Sequence, residues 1–444
     1  MYTDIFQLQQ ATADTLHKEG STITIRDEAK LRSSLIDALI FTAVFAPQAD
    51  LKTAARELIF QTAKTLGIYP ASIFPFYKAV GEGKVQGFTV PALNVRALTY
   101  DTARAVFRLM NNHQIGPVVF EIARSEIEYT DQRPDEYTHA ILAAAIKEQY
   151  TGPVFLQGDH FQLSNKRYLQ EPEAEIGRIK TLIDESIASH FYNIDIDAST
   201  LVDLSKQSVA EQQKPNSTVT ALLTEYIRQK QPSSATVSIG GEIGHIGGKN
   251  STVPDFEAFM EGYLSQIHST GISKVSVQTG TSHGGIPLPD GTIAEVNLDF
   301  SVLSSIGSIA RDRYHLGGAV QHGASTLPET LFERFVEAGT LEIHLATGFQ
   351  NIVFQTMPEK LKQEMHAWTK EHLQKEREDT WSDEQFVYKT RKKSLGPFKK
   401  QLWELPEREK KPIIDALSTQ FELLFGKLHI FETKDVMSTY MQSV

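Results

Sequence analysis

The chain has 444 residues, no cysteine and a formal net charge of −11 at pH 7. Without thiols there are no disulfides, thiolate metal ligands, iron–sulfur clusters or cysteine nucleophiles, so any metal chemistry must draw on His, Asp or Glu. The acidic balance, with no basic stripe or tail to offset it, argues against nucleic-acid and anionic-membrane partners, and an anionic substrate must be caught by a local site.

Residues 1–87 read as a helical N-terminal extension. The longest apolar run there, Ala38 to Ala46, is too short to span a bilayer, and no basic-then-apolar leader is present, which predicts a cytoplasmic protein with no membrane contact. Gly81, Gly83 and Gly87 supply a break before the first strand. Residues 88–357 alternate short β-rich runs with helical patterns. Eight runs stand out: Thr89–Val95, Pro117–Ala123, Pro153–Leu156, Phe191–Ile196, Thr236–Gly241, Lys274–Gln278, Leu316–Gln321 and Leu341–Ala346. Between the first two, Ala103, Val106, Phe107 and Met110 recur at helical spacing and give that helix one apolar face.

Eight alternations predict an α/β protein built as a closed (β/α)8 TIM barrel. A doubly wound open sheet is the alternative, weakened because no Gly-rich phosphate fingerprint follows the first run. Residues 358–444 mix Lys and Glu closely, carry Trp368, Trp381 and Trp403, and read as a helical C-terminal extension docked on the barrel. A subunit contact is its alternative use, and a homo-oligomer, dimer or tetramer, is the expected assembly.

Active sites of such barrels lie at the C-terminal ends of the strands. The third run leads into Gly158-Asp159-His160 and the fifth into Gly241-Glu242-Ile243-Gly244-His245. The sixth leads into Gly280-Thr281-Ser282-His283-Gly284 and the seventh into His322-Gly323-Ala324-Ser325. Any one strand-end histidine alone reads as an ordinary hydrogen-bonding residue. Several at matching register, each beside Gly or Asp, can converge on a divalent metal that keeps a position open for substrate. Gly284 and Gly323 leave backbone N–H groups unobstructed, Ser325 adds a hydroxyl, and Ala346-Thr347 closes the eighth run, so a phosphate can sit in an amide nest there. Simple tight turns are the other use for these glycines.

These segments, with Ile196-Asp197-Ala198-Ser199 between the third and fifth, occur in the order of the class II, zinc-dependent fructose-bisphosphate and tagatose-bisphosphate aldolases, and the chain resembles that family over roughly residues 88–350. The resemblance implies a Zn2+ ion, or another divalent metal, on His160, His283 and His322. It implies that Asp159 is the acid/base for the substrate hydroxyl, second-shell support of His160 being its other use, and that Glu242 is a carboxylate near the metal, with a structural salt bridge as the other reading. Gly284, Gly323, Ser325 and Thr347, with Asn94 and Ala346, fall at substrate- and phosphate-binding positions. The implied reaction is reversible cleavage of a ketose (bis)phosphate to dihydroxyacetone phosphate and an aldehyde. A divalent cation stabilises the negative charge that develops on the ketone oxygen, so no lysine Schiff base is required.

Two departures stand out. His344 occupies the eighth run where the family usually has Asn, and Lys249-Asn250-Ser251 follows the double glycine where many members carry Glu. The carbon proton must then be handled by another group, and Asp255 and Glu257 on the following loop, or His344, are the candidates. An extra stretch, Phe161 to Glu175, is similar to one in the non-catalytic companion subunit of tagatose-bisphosphate aldolase. A companion subunit, or a different metal-dependent enzyme on the same barrel, is the alternative function.

Overall fold

The computed structural model describes residues 1–20, 22–244, 249–280 and 298–441. Eight parallel strands form the barrel: β1 (Val90–Asn94), β2 (Val119–Ala123), β3 (Gly152–Gln162), β4 (Asn193–Asp197), β5 (Ser238–Glu242), β6 (Lys274–Val277), β7 (Ala319–Gln321) and β8 (Glu342–Leu345). Each pairs with its sequence neighbours, and β8 returns to β1 with Glu342 opposite Val90 and Leu345 opposite Leu93. The barrel is therefore closed, as expected for a (β/α)8 TIM barrel.

Seven strands agree with the predicted runs to within a few residues. The third is far longer, because Gly158, Asp159 and His160 do not end it. They form a bulge in its pairing with β4, where the register shifts between Gly158 and Phe161. The backbone of His160 is left-handed, with φ 41°, a conformation that short polar residues and histidine tolerate better than most.

The helix Thr99–Asn112 buries Ala103, Val106, Phe107 and Met110, the face its spacing defines. Residues 1–87 are mainly helical, but they also contain an antiparallel hairpin, Leu16–Glu19 with Thr22–Ile25. The strand Ile68–Ala71 pairs outside the barrel with the start of β3. The alternating Thr and Ile of residues 22–25 is the period-two signal that a helical reading of this region passes over.

Helices after residue 358 pack against the barrel helices. Trp403 lies on Phe45 and Tyr100, and Phe421 on Phe349. This segment also completes the first βα unit. Thr89 N–H donates to the carbonyl of Leu428, and Glu432 N–H donates to the carbonyl of His113.

The barrel interior is polar, whereas branched apolar residues dominate most such barrels. Lys274 is fully buried. Its Nζ lies 2.9 Å from Asp195 Oδ2, donates to Gln157 Oε1 at 2.8 Å, and is ion-paired with Glu342. Tyr77 also donates to Glu342. Burial alone would favour the neutral amine, but Asp195 and Glu342 push the Lys274 pKa above its ordinary value and hold the charge in place. Removing the ammonium would leave two buried carboxylates uncompensated. Lys274→Met is expected to lower unfolding stability by about 3–5 kcal/mol, read as a lower denaturant midpoint, and an unchanged midpoint would contradict this account.

Candidate active site

The functional side chains sit where the C-terminal ends of the strands meet. In a regular strand Asp159 and His160 would face opposite sides of the sheet, since side chains alternate. The bulge at His160 relaxes that rule, and both residues line one cavity of about 800 Å³. Gly158 permits the bulge to fold back, because a Cβ there would lie 2.4 Å from the Phe161 ring.

His160 Nδ1 lies 3.1 Å from Glu242 Oε2 at the end of β5 and 3.2 Å from Asp197 Oδ2 at the end of β4. The His160 and His322 rings are 4.1 Å apart, and those of His322 and His344 are 4.0 Å apart. Ser276 Oγ, on β6, holds His322 Nε2 at 2.8 Å. The ligand atoms of His160, Glu242 and His322 all lie within 4.8 Å of one another, as do those of Asp159, His322 and His344. A mixed imidazole and carboxylate set fits zinc and related divalent ions. A third such group, Asp195, Glu342 and His344, already surrounds the Lys274 ammonium and is a poor fit for a second cation. His283 and Gly284 lie outside the described residues, as does His245.

Asp159 is fixed from two sides. Its Oδ1 lies 3.1 Å from His344 Nδ1, and its Oδ2 accepts from Asn94 Nδ2 at 3.1 Å. Burial would raise its pKa, but His160, His344 and His322 beside it hold it well below the ordinary carboxylate value. Glu242 differs: burial, reinforced by Asp197, pushes it up to about 7 against the pull of His160. His344 reaches down the barrel, with Nε2 2.6 Å from Glu342 Oε1. The Asn family pattern at this position is thus replaced by a side chain that joins the barrel interior to Asp159.

The opposite wall carries the start of a helix. The helix Thr347–Thr356 begins at the cavity, and its Gly348 N–H donates to Ser325 Oγ at 3.0 Å. A Cβ at Gly348 would lie 2.2 Å from the Ser325 carbonyl, so only glycine allows this approach. Gly323 precedes it in the left-handed region, with φ 71°. Asn94, Gly323, Ser325, Ala346 and Thr347 all line the cavity. A helix start carries partial positive charge that favours an anion.

Asp255 is placed elsewhere. Its carboxylate accepts from Thr252 N–H at 2.9 Å in a capping box and lies 3.5 Å from Lys249 Nζ. Glu257 is ion-paired with Arg313. Neither lines the cavity.

Sequence reasoning missed several cavity residues. Arg96 lies just past β1, the position inspected on other strands, and is ion-paired with Glu126 at 2.6 Å while donating to Thr347 Oγ1 at 3.3 Å and Gln350 Oε1 at 3.0 Å. Arg124 follows β2 directly and pairs with Glu175 at 2.7 Å. Both were accessible to the strand-end rule. Tyr388, Lys389 and Lys392 come from the C-terminal helices, and nothing in their local pattern points to a site.

The family model described as fructose-bisphosphate aldolase class-II matches residues 77–399. No curated protein matches the chain. Among solved structures, a protein described as a probable tagatose 6 phosphate kinase from Sinorhizobium meliloti 1021 is 12% identical, with 76% of this chain and 100% of that one covered and a TM-score of 0.55. The fructose-bisphosphate aldolase of Campylobacter jejuni is 16% identical, covers 82% of this chain and 96% of its own, and has a TM-score of 0.49. The YdjI aldolase of Escherichia coli K12 is 15% identical, with 77% and 100% covered and a TM-score of 0.42. At 12% identity the Sinorhizobium meliloti structure speaks for the fold alone, while the family match spans most of the chain, including every described strand of the barrel and the cavity residues from Asn94 to Lys392. The chain belongs to the class II fructose-bisphosphate aldolase family.

Proposed function

We propose that the protein is a zinc-dependent aldehyde-lyase that reversibly cleaves a ketose phosphate or bisphosphate into dihydroxyacetone phosphate and an aldehyde. The observation that carries this reading is the convergence of His160, Glu242 and His322 beside Asp159, in the same cavity as the Ser325 and Thr347 anion wall. His160 and His322 would hold the metal, joined by Glu242 or by His283. When bound there, the ion supplies a Lewis acid for charge developing on the ketone oxygen.

The chain's own groups do the rest. Ser325 Oγ, itself held by the Gly348 N–H, and the N-terminus of the helix Thr347–Thr356 would hold the phosphate of the dihydroxyacetone half. Asp159, clamped by Asn94 and His344, accepts the substrate hydroxyl proton in cleavage and returns it in condensation, worth ~10²–10⁴-fold. Arg167, Lys389 and Lys392 line the outer cavity, and none has a carboxylate within ion-pair distance among the described residues. A second anionic group on the aldehyde half suits them. His344 is the carbon-proton candidate that lines the cavity, whereas Asp255 and Glu257 would have to be carried to it by closure of their loop.

The test is direct. The purified chain loaded with zinc is expected to release dihydroxyacetone phosphate from a ketose phosphate in a coupled assay. Asp159→Asn should keep its zinc by elemental analysis and lose about two to four orders of magnitude in kcat. Unchanged turnover in the loaded variant would remove Asp159 from the chemistry, and no cleavage by the parent across a panel of ketose mono- and bisphosphates would favour the companion subunit.

Metal loading provides an independent check. His322→Ala should bind zinc at least roughly tenfold more weakly than the parent, and chelation should abolish cleavage in the parent. Cleavage that survives exhaustive chelation would defeat the metal-dependent reading. In the loaded protein, His344→Gln should slow exchange of the dihydroxyacetone phosphate carbon proton with deuterated water by roughly tenfold or more, whereas an unchanged rate would move that role to another residue.

A further inference from the structure

At the opposite end of the barrel, where β1 and β8 begin, lies a second cavity of about 860 Å³. Its volume is in the range of small-molecule sites. Phe76, Val85, Phe88 and Leu341 give it an apolar wall. Phe76, Val85 and Leu341 are buried, so this wall is part of the protein's own core.

One permanently charged cation reaches this cavity, the other basic side chain in its lining being the exposed His315. Arg311, from the helix Phe300–Tyr314, lines the cavity and donates one N–H to the Gly339 carbonyl at 3.0 Å. Among the described residues no carboxylate lies within ion-pair distance of its guanidinium. Burial pulls its pKa below the ordinary arginine value, with Asp312 alone acting against it. Three acids, Glu82, Asp312 and Glu337, also reach the cavity, but all are exposed at its rim, and Glu82 is taken up by Lys84. A second polar group lines the same cavity: Thr340 is 1% exposed, and its Oγ1 has no hydrogen-bond partner. Most buried polar atoms are partnered, so an unsatisfied hydroxyl in the same cavity as an under-used guanidinium calls for an acceptor.

We infer that this cavity is a binding site for a carboxylate attached to an apolar body, the carboxylate on Arg311 and Thr340 and the body against Phe76, Val85, Phe88 and Leu341. A planar guanidinium fork matches a carboxylate in bidentate geometry, and a single cation set in apolar walls suits one such group better than the higher charge of a phosphate. The site is separate from the catalytic cavity, which opens at the other ends of the same strands.

The experiment is a calorimetric titration of the full-length, zinc-loaded protein with 2-naphthoate. Saturable binding at one site per chain is expected, not displaced by dihydroxyacetone phosphate or by inorganic phosphate. Arg311→Lys keeps the charge but loses the fork, and should weaken binding roughly tenfold. Val336→Phe fills the cavity from its half-exposed wall without touching the guanidinium, and should abolish binding while leaving the thermal melt and the cleavage rate of the parent in place. If Arg311→Lys fails to fold, Val336→Phe decides alone. Absence of saturable binding, equal binding in the folded variants, or displacement by either phosphate would overturn the proposal.

Discussion

A lysine ammonium sealed in the centre of a barrel constrains everything above it. Lys274 keeps its charge because Asp195 and Glu342 face it from β4 and β8; burial raises the pKa of both carboxylates and Lys274 acts against it, holding Glu342 well below its ordinary value while Asp195 stays somewhat above. Isolated burial of either sign would cost several kcal/mol, so the set must be assembled together. From that pair a continuous line of contacts climbs to the cavity. Glu342 holds His344, His344 holds Asp159, and Asn94 links Asp159 to Glu126. Glu126 in turn holds Arg96, which reaches Thr347 at the anion wall. The acid/base candidate and the proposed phosphate wall are thus oriented by one network rooted in the barrel core.

Glu121 belongs to the same layer and shows how tightly its charge is balanced. Burial, with Asp159 nearby, pushes its pKa up to about 8. Gln157 donates to it at 2.8 Å. A protonated Glu121 keeps the layer from carrying one more negative charge than Lys274 and His344 can offset.

The barrel was legible in the sequence because its strands are short, buried and separated by amphipathic helices. The convergence of His160 and His322 was legible too, since strand-end position alone brings such residues to one mouth. The polar core was not recognised, although its signal was present. Segments such as Asn193-Ile194-Asp195-Ile196-Asp197 and Glu342-Ile343-His344-Leu345 alternate charge with apolar residues, and in a barrel covered by helices the charged face can only point inward. The continuation of β3 through Gly158-Asp159-His160 was hidden because Gly and Asp ordinarily mark turns. The contribution of Lys389 and Lys392 to the cavity was hidden for a different reason: it depends on where a distant helix docks, and no local pattern encodes that.

The docking of residues 428–434 has a consequence for how the protein is made. The N–H of Thr89, at the threshold of β1, and the carbonyl of His113, at the close of the following helix, find their backbone partners in that segment. During vectorial synthesis the earliest βα unit therefore emerges with its margins unfinished and waits for chain translated much later. Contacts of such long sequence separation slow folding and leave strand edges exposed in the interim. The closure of the first βα unit is therefore tied to the emergence of residues 428–434 at the far end of the chain.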